Sequence, residues 1–470
     1  MENIAVMWFE RDLRIADNPA LSNACSQADI VVPLFIDGPP HDGWPAGSGR
    51  RWWLGRALVA LDERLREQAS RLLLRCGEPG EELPRLIDEV GAKKVFWNRR
   101  FRPGLESRDA QIADELRGHG IEVQICETRL LHDPDKIETN AGGPYHVFTP
   151  FWRKFQKHVT VPSPLDEAPL AKVRGPQRWP QGQPVEQLID VSLWEGSRLS
   201  EHWTPGELAA RQRLEQFAQE GLSDYPVLRD RPDISGTSQL SPHLASGTIS
   251  PTQVWHGVDG SSEVGRAFRR QLAWREFSYH LLHHYPETVE EPLREKFRGF
   301  RWIDDPTALT RWQRGQTGFP IVDAGMHQLR KTGWMHNRVR MIVASFLTKD
   351  LLIPWQRGAR WFWEHLVDAD LANNTMGWQW SAGCGADAQP FFRVFNPVSQ
   401  AEKFDPHGTY IRRFVPELTS LSTDHIHAPW RSPAATLREA EITLGEDYPE
   451  PMVDHGEARK RALERYEEIK

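Results

Sequence analysis

DADLANNTMGWQW, residues 368 to 380, packs two acids, two adjacent amides and two tryptophans into one short run. The run is too polar for an ordinary core helix and too aromatic for a solvated one. Acids and amides bind a polar, nitrogen-rich ring. Indoles stack on planar rings or pass electrons. The combination points to a flavin-type redox site beside a base-like substrate. The chain holds 20 tryptophans in 470 residues, and Trp302, Trp355, Trp378 and Trp380 fall near charged groups rather than in apolar runs.

Working outward, the first ~130 residues alternate short apolar strands with helical patterns, the signature of a parallel α/β sheet. Strands are expected at Ile4–Phe9, Ile30–Ile36, Arg71–Cys76, Lys94–Asn98 and Ile121–Cys126, with helices at Ser48–Gln68, Glu81–Val90 and Leu105–Gly118. Near-continuous apolar strands imply helices on both faces. No GxGxxG follows the first strand, so this half is Rossmann-like without the dinucleotide fingerprint. Residues 131–203 are rich in Pro and Gly and read as an interdomain connection lying over the surface of both domains, because Phe148, Trp152 and Phe155 need burial. Residues 204–470 are helical, most clearly at Pro205–Glu220, Pro251–Val258, Gly265–His284, Ile321–Lys331, Asn337–Leu352 and Gly358–Leu366. The expected fold is an N-terminal α/β domain (1–130), a linker (131–203) and an all-helical domain (204–470).

A 54.0 kDa chain with 39% hydrophobic and 26% charged residues is an ordinary globular protein with room for two domains. The net charge of −7 does not itself suggest nucleic acid. The local basic run Arg266, Arg269, Arg270, Arg275, Arg294, Lys296, Arg298 and Arg301 does, although a solvated helix face explains such a run equally well. The four cysteines are scattered without CxxC or metal spacing, as expected of reduced thiols. No signal-like segment opens the chain, and no apolar run approaches the ~18 residues of a membrane helix. A cytoplasmic protein is expected.

Three further segments carry chemistry. In YPVLRDRPDISGTSQLSPHLASGTIS (225–250), Gly236-Thr237-Ser238 offers amide and hydroxyl donors to a pyrophosphate, and equally fits a loop with helix caps. In QLAWREFSYH (271–280), Gln271 and Arg275 are one helical turn apart, and Trp274 can stack on a flat ring or join a core stripe. In TGWMHNRVRM (332–341), Asn337, Arg338 and Arg340 stand beside Met341, and Arg340 with Asp368 or Asp370 makes either a bracket for a flavin or a plain ion pair.

Taken together and in order, these segments resemble the DNA photolyase/cryptochrome family over essentially the whole chain. VMWFERDLRIADNPAL (6–21), GFPIVDAGMHQL (318–329) and FFRVFNPVSQAEKFDP (391–406) extend the resemblance. It is nearest to bacterial class I cyclobutane pyrimidine dimer photolyases. The resemblance implies FAD in the helical domain, held by Tyr225, Thr237, Ser238, Leu240, Ser241, Phe268, Gln271, Arg275, Asn337, Arg340, Asp368, Asp370 and Asn374, the last facing flavin N5. It implies light-driven repair of dimers in UV-damaged DNA by the catalytic residues Asn374, Gln271, Trp274, Met341 and Trp380, with Trp274 and Trp380 as walls of the lesion pocket and Met341 against the dimer, and DNA contacts from Arg229, Trp274, Arg338, Trp380 and Arg393. It implies electron transfer through Trp302, Trp355 and Trp378, a monomer, and a place for an antenna chromophore (folate, deazaflavin or flavin) in the N-terminal domain, with WNRRFRPGLESRD (97–109) as one wall.

Gln271 departs from the glutamate usual in class I enzymes. Gln there is familiar in enzymes of the (6-4) lesion, but those carry a His pair where this chain has His336-Asn337, and His where it has Met341. The cyclobutane dimer is therefore the expected substrate. A cryptochrome-type photoreceptor is the competing reading. An iron–sulfur relative fits poorly, since only Cys384 lies in the helical half.

Overall fold

The structure is a computed structural model that describes residues 2–40, 43–68, 70–127, 130–169, 171, 175–183, 199–387 and 392–470. Five parallel strands, β1 (Ile4–Phe9), β2 (Ile30–Asp37), β3 (Leu73–Cys76), β4 (Lys94–Asn98) and β5 (Glu122–Cys126), form one sheet in the order β3-β2-β1-β4-β5. Ile4 pairs with Ile30 on one side of β1, and Ala5 pairs with Lys94 on the other. The order reverses between β1 and β4, so a crevice opens beyond their carboxyl ends. The helices α1 (Pro19–Gln27), α2 (Ser48–Arg66), α3 (Pro79–Val90) and α4 (Pro103–Gly118) cover the two faces.

The segment expected to be a surface linker contributes α5 (Phe148–His158), whose Phe148, Phe151 and Phe155 are buried. They join a core cluster of the helical half, so the first part of that segment packs into the helical layer. Part of the expected linker, at 170, 172–174 and 184–198, lies outside the described residues.

Beyond it come α6 (Leu199–His202), α7 (Glu207–Gln216), α8 (Tyr225–Leu228), α9 (Ser241–Ser246) and α10 (Pro251–His256). The long α11 (Glu263–His284), α12 (Pro306–Arg314), α13 (Pro320–Thr332), α14 (Asn337–Ser345), α15 (Trp355–His365) and α16 (Leu371–Ala382) follow. Two expected helices change winding before they end. Phe217–Gly221 and Phe346–Asp350 are π-helical, a register shift that side-chain periodicity does not reveal. Among the described residues no helix is long and apolar enough to cross a membrane.

Buried aromatics join the two halves. The Trp53 ring on α2 meets Trp203 at 5.8 Å and His243 at 4.9 Å, and its Nε1 donates to Ser246 Oγ at 3.0 Å. Gly247 has φ +72, and a Cβ there would stand 1.8 Å from the Arg11 carbonyl oxygen. Only glycine lets the loop after β1 approach so closely.

Candidate functional site

The carboxylates at the head of α16 are held by partners from three other elements, α9, α11 and α14. Asp368 is nearly inaccessible, with its side chain 3% exposed, and accepts from Arg340 Nη2 at 3.0 and 2.8 Å and from Ser241 Oγ at 2.6 Å. Trp334 Nε1 donates to the same hydroxyl at 3.2 Å. Asp370 is the N-cap of α16, accepting from the Asn373 amide at 3.1 Å, and its other oxygen accepts from the Tyr279 hydroxyl. Arg340 is steered by a bond from Nε to the Met335 carbonyl at 2.8 Å. It stands in α14, whose N-cap His336 accepts the Arg338 amide on Nδ1 at 3.2 Å. Burial holds His336 down at about 4, so the ring is neutral and able to accept.

One face of α16 is open. Leu371, Ala372, Thr375, Trp378 and Gln379 are buried, whereas Asn373 and Gly377 are exposed and Trp380 is half-buried. These last three fall at i, i+4 and i+7, one stripe of a helix. A Cβ on Gly377 would meet nothing within 4 Å. Beside this stripe the Asn374 amide Nδ2 donates to the Ala359 carbonyl at 3.0 Å, which leaves its Oδ1 as acceptor.

The buried face of α16 carries Trp378. Trp378 packs on Phe362 at 5.0 Å and Trp312 at 6.2 Å, and Gly358 lies so close that a Cβ would stand 2.1 Å from the indole. Trp355, at the start of α15, is 1% exposed, and Trp302 is half-buried against Phe300 at 4.4 Å. Trp302 is thus the most exposed of the three, while Trp355 and Trp378 are both buried. Trp312 had no motif to announce it.

Opposite α16 runs α11. Phe268 meets the Tyr225 ring at 5.3 Å, and Arg229 lies 5.4 Å over that ring. Arg229 Nη2 also donates to Gln271 Oε1 at 3.2 Å, which fixes the amide's carbonyl end. Trp274 is half-buried and stacks on Phe148 of α5 at 3.6 Å and 9°. Gln239, between Ser238 and the buried Leu240, has φ +53, a conformation non-glycine residues avoid. That turn leaves Thr237 and Ser238 half-buried rather than packed. Asn337 Nδ2 reaches the Met341 sulfur at 3.8 Å, and Arg338 pairs with Asp230 at 2.9 Å.

Arg275 sits deeper than expected. It is buried, pairs with Glu276 at 2.8 Å and lies 4.7 Å over Tyr279. Glu276, fully buried, also accepts the Leu131 amide at 2.7 Å and so ties the interdomain segment to α11. The basic run from Arg266 to Arg301 does not form one continuous face. Arg269 bonds the Trp255 and Val258 carbonyls at 2.9 and 2.7 Å, Arg298 pairs with Glu291 at 3.4 Å, and Arg301 pairs with Glu468. Local acids and carbonyls absorb those charges.

Two further cavities adjoin the site. One, at the crevice between β1 and β4, is lined by Glu10, Arg11, Asp12, Asn98, Arg99 and Arg100, and by Gly247 and Arg275 from the helical half. Arg100 lies 3.8 Å over Trp8, and its buried Nη2 has no hydrogen-bond partner. The other holds Trp380, Lys349, Phe392, Arg393 and Tyr466. Burial pulls the Lys349 ammonium down to about 7, while its Nζ donates to the Arg393 carbonyl at 3.2 Å and lies 3.6 Å over Phe392. That ties the backbone of exposed Arg393 to the Trp380 end of α16.

Residues 5–170 match the family model described as DNA photolyase, and residues 268–468 match that described as the FAD binding domain of DNA photolyase. The chain belongs to the DNA photolyase family. It is 45% identical to the deoxyribodipyrimidine photo-lyase of Agrobacterium fabrum, covering 99% of this chain and 98% of that one. A bacterial class III photolyase from Agrobacterium tumefaciens has a structure similar to it, with 44% identity, a TM-score of 0.96 and coverage of 100% and 98%. An archaeal photolyase from Sulfolobus tokodaii, solved with two FAD molecules, is similar at 30% identity and TM-score 0.84, covering 99% and 100%. The class I expectation finds no support in the Agrobacterium structure, which is described as class III.

Within this photolyase fold, sequence reasoning missed Tyr279, Trp334, Glu276 and Lys349. The first three lie inside quoted motifs, but nothing local marks Tyr279 as the partner of Asp370 or Trp334 as the donor to Ser241, each ~90 residues away. Glu276 and Lys349 look like surface charges until tertiary packing buries them.

Proposed function

We propose that the chain repairs cyclobutane pyrimidine dimers in UV-damaged DNA under blue light, with FAD as the photoactive group. The open stripe of α16, with Gly377 leaving space between Asn373 and Trp380, carries this reading. The neighbouring elements carry acids, amides and hydroxyls (Asp368, Asp370, Asn374, Ser241) rather than apolar groups, a donor and acceptor set that fits the cofactor. Thr237, Ser238, the Leu240 amide and Ser241 would hold the pyrophosphate and ribose. Tyr225, Phe268, Gln271, Arg275 and Asn337 would line the adjoining walls. Arg340, Asp368, Asp370 and Asn374 would meet the ring and its ribityl chain. Bound FAD supplies light absorption and one-electron chemistry that no side chain offers.

The protein's own part is positioning and electrostatics. Arg340 pairs with Asp368 and would orient its carboxylate at the ring's edge. Asn374 has committed its NH2 to Ala359, so its oxygen is presented to a ring N–H. A dimer must leave the base stack to be reached, and its impaired pairing makes that cheap. Trp274, backed by Phe148, and Trp380 would wall the flipped dimer, with Met341 against it. Gln271, oriented by Arg229, would donate its NH2 to a pyrimidine carbonyl. Arg229, Arg338 and Arg393 would hold flanking phosphates. Trp302, Trp355 and Trp378 would carry electrons inward from the half-buried Trp302 to the buried pair.

A second chromophore would fit the crevice at the sheet's reversal point, where the partnerless Arg100 nitrogen offers a donor to an anionic or carbonyl group. A monomeric cytoplasmic enzyme completes the reading. The deciding assay is recovery of base absorbance from a thymine-dimer oligonucleotide with reduced protein, in blue light and in the dark. Light-only recovery is expected. No recovery from protein with bound, photoreducible FAD would instead favour a signalling photoreceptor on the same cavity.

A further inference from the structure

The C-terminal end of α11 lies against a short turn that no step above uses. Residues Pro134–Lys136 form a single 3-10 turn at the head of the interdomain segment, capped by Asp133, whose carboxylate accepts the Asp135 amide. Asp135 Oδ1 lies 2.8 Å from His283 Nε2, and His284 Nε2 lies 3.3 Å from the Pro134 carbonyl oxygen. One ligand atom each from Asp135, His283 and His284 fall within 4.8 Å of one another. Consecutive helical residues usually diverge by about 100° around the axis. Here the two imidazoles turn to the same side, with ring centres 5.0 Å apart.

Two imidazoles and one carboxylate are a recognisable donor set. Ligand atoms around a tetrahedral Zn2+ at ~2.0–2.2 Å stand about 3.4 Å apart. The Asp135–His283 separation must open slightly and His284 must swing in. Both histidines are half-buried and Asp135 is exposed, so side-chain torsions suffice and a solvent molecule can complete the shell. Imidazole nitrogens favour borderline transition cations over Mg2+ and Ca2+, which prefer oxygen. The location adds a second reason. His283 and His284 end α11, where the unsatisfied carbonyls concentrate negative potential and favour a cation.

We propose that Asp135, His283 and His284 form a site for a borderline divalent transition-metal ion, Zn2+ in chemistry, which fastens the interdomain segment to the end of α11. Glu276 already pins this segment at Leu131 and His132 two turns earlier in α11. An ion at Asp135 is a second anchor, and two anchors set the direction of the segment where one leaves it free to pivot. α11 also carries Gln271 and Trp274, so the anchors steady the helix that lines the candidate site.

The test uses the full chain with FAD, stripped by chelator and titrated calorimetrically with Zn2+. One equivalent should bind, with no comparable heat from Mg2+. D135N, H283Q and H284Q should each weaken binding at least tenfold, or about 1.4 kcal/mol. H119Q, at an exposed histidine elsewhere, should leave it unchanged. Anomalous scattering from Zn2+-soaked crystals locates the ion independently. The thermal midpoint of wild type should rise with saturating Zn2+, and that of D135N should not. No binding by wild type, or binding untouched in all three variants, overturns the site. Binding at the site without a shift in midpoint overturns the fastening.

Discussion

Gly377 gives the sharpest test of the cavity, because stability and function should move in opposite directions there. It sits inside α16, where glycine costs about 0.8–1.0 kcal/mol relative to alanine. Its ideal Cβ would meet nothing within 4 Å, so alanine brings no clash. G377A should therefore stabilise the flavin-free chain by about 0.8–1 kcal/mol and raise its thermal midpoint by about 1–2 °C. G377F keeps part of that gain, since Phe lies within about 0.7 kcal/mol of Ala in helix propensity. Its ring, however, would fill the space between Asn373 and Trp380. Light-dependent repair by G377F should be lost while its fold persists. Melting curves, the FAD-to-protein absorbance ratio and dimer repair in blue light read the three quantities. Repair by G377F at the wild-type rate would show that α16 faces empty solvent and not a working cavity. A lowered midpoint for G377A would refute the open space itself.

W355F should stop photoreduction of the oxidised flavin by an external thiol yet leave repair by chemically reduced protein intact; thiol-driven bleaching at the wild-type rate sinks the electron path. D368N removes the charge facing Arg340, whose side chain is 25% exposed, and should cost about 1.5–3 kcal/mol in denaturant unfolding together with weakened FAD retention. An unchanged midpoint would mean the pair contributes nothing. Burial depresses His243 and His280 to about 3 and His336 to about 4. The unfolded chain then binds more protons below its own histidine pKa of about 6.5, so stability should fall as pH drops from there toward 4, by at most about 1.4 kcal/mol per pH unit for each. H336N keeps an N-cap without a titrating ring and should show a shallower acid loss; parallel curves would refute the assignment. Q271E should pair more strongly with Arg229 and raise repair efficiency, and a drop in repair would show that the neutral amide is required.

The parts legible in the sequence are those set by short-range chemistry. The ends of all five strands are found within two residues of expectation; β1, β2 and β4 are buried on both faces and so apolar nearly throughout, whereas the edge strands β3 and β5 are partly exposed. α11 and α13 start and stop where capping Ser262 and the punctuating Pro320 and Gly333 require. The motif at 368–380 does form a helix, from Leu371, with Asp370 as its carboxylate cap, and Asp368 does meet Arg340. Less was legible where local signals are mute. α1, PALSNACSQ, carries too few apolar residues to show a clear stripe and owes its place to packing on the sheet. The expected helix Asn337–Leu352 turns π-helical at Phe346 because a backbone register shift leaves no mark on side-chain pattern.

Tertiary structure alone decided which charges are spent and which remain available. Arg269, Arg298 and Arg301 read as a basic patch until folding brings the Trp255 and Val258 carbonyls, Glu291 and the distant Glu468 against them. Lys349 and Asp350 read as a surface pair until the π turn buries both, at 1% and 0% exposure. Burial and pairing depend on what other parts of the chain bring to the same place. A sequence states which groups exist; the free energy of each charge is set by the dielectric and the partners that only folding supplies.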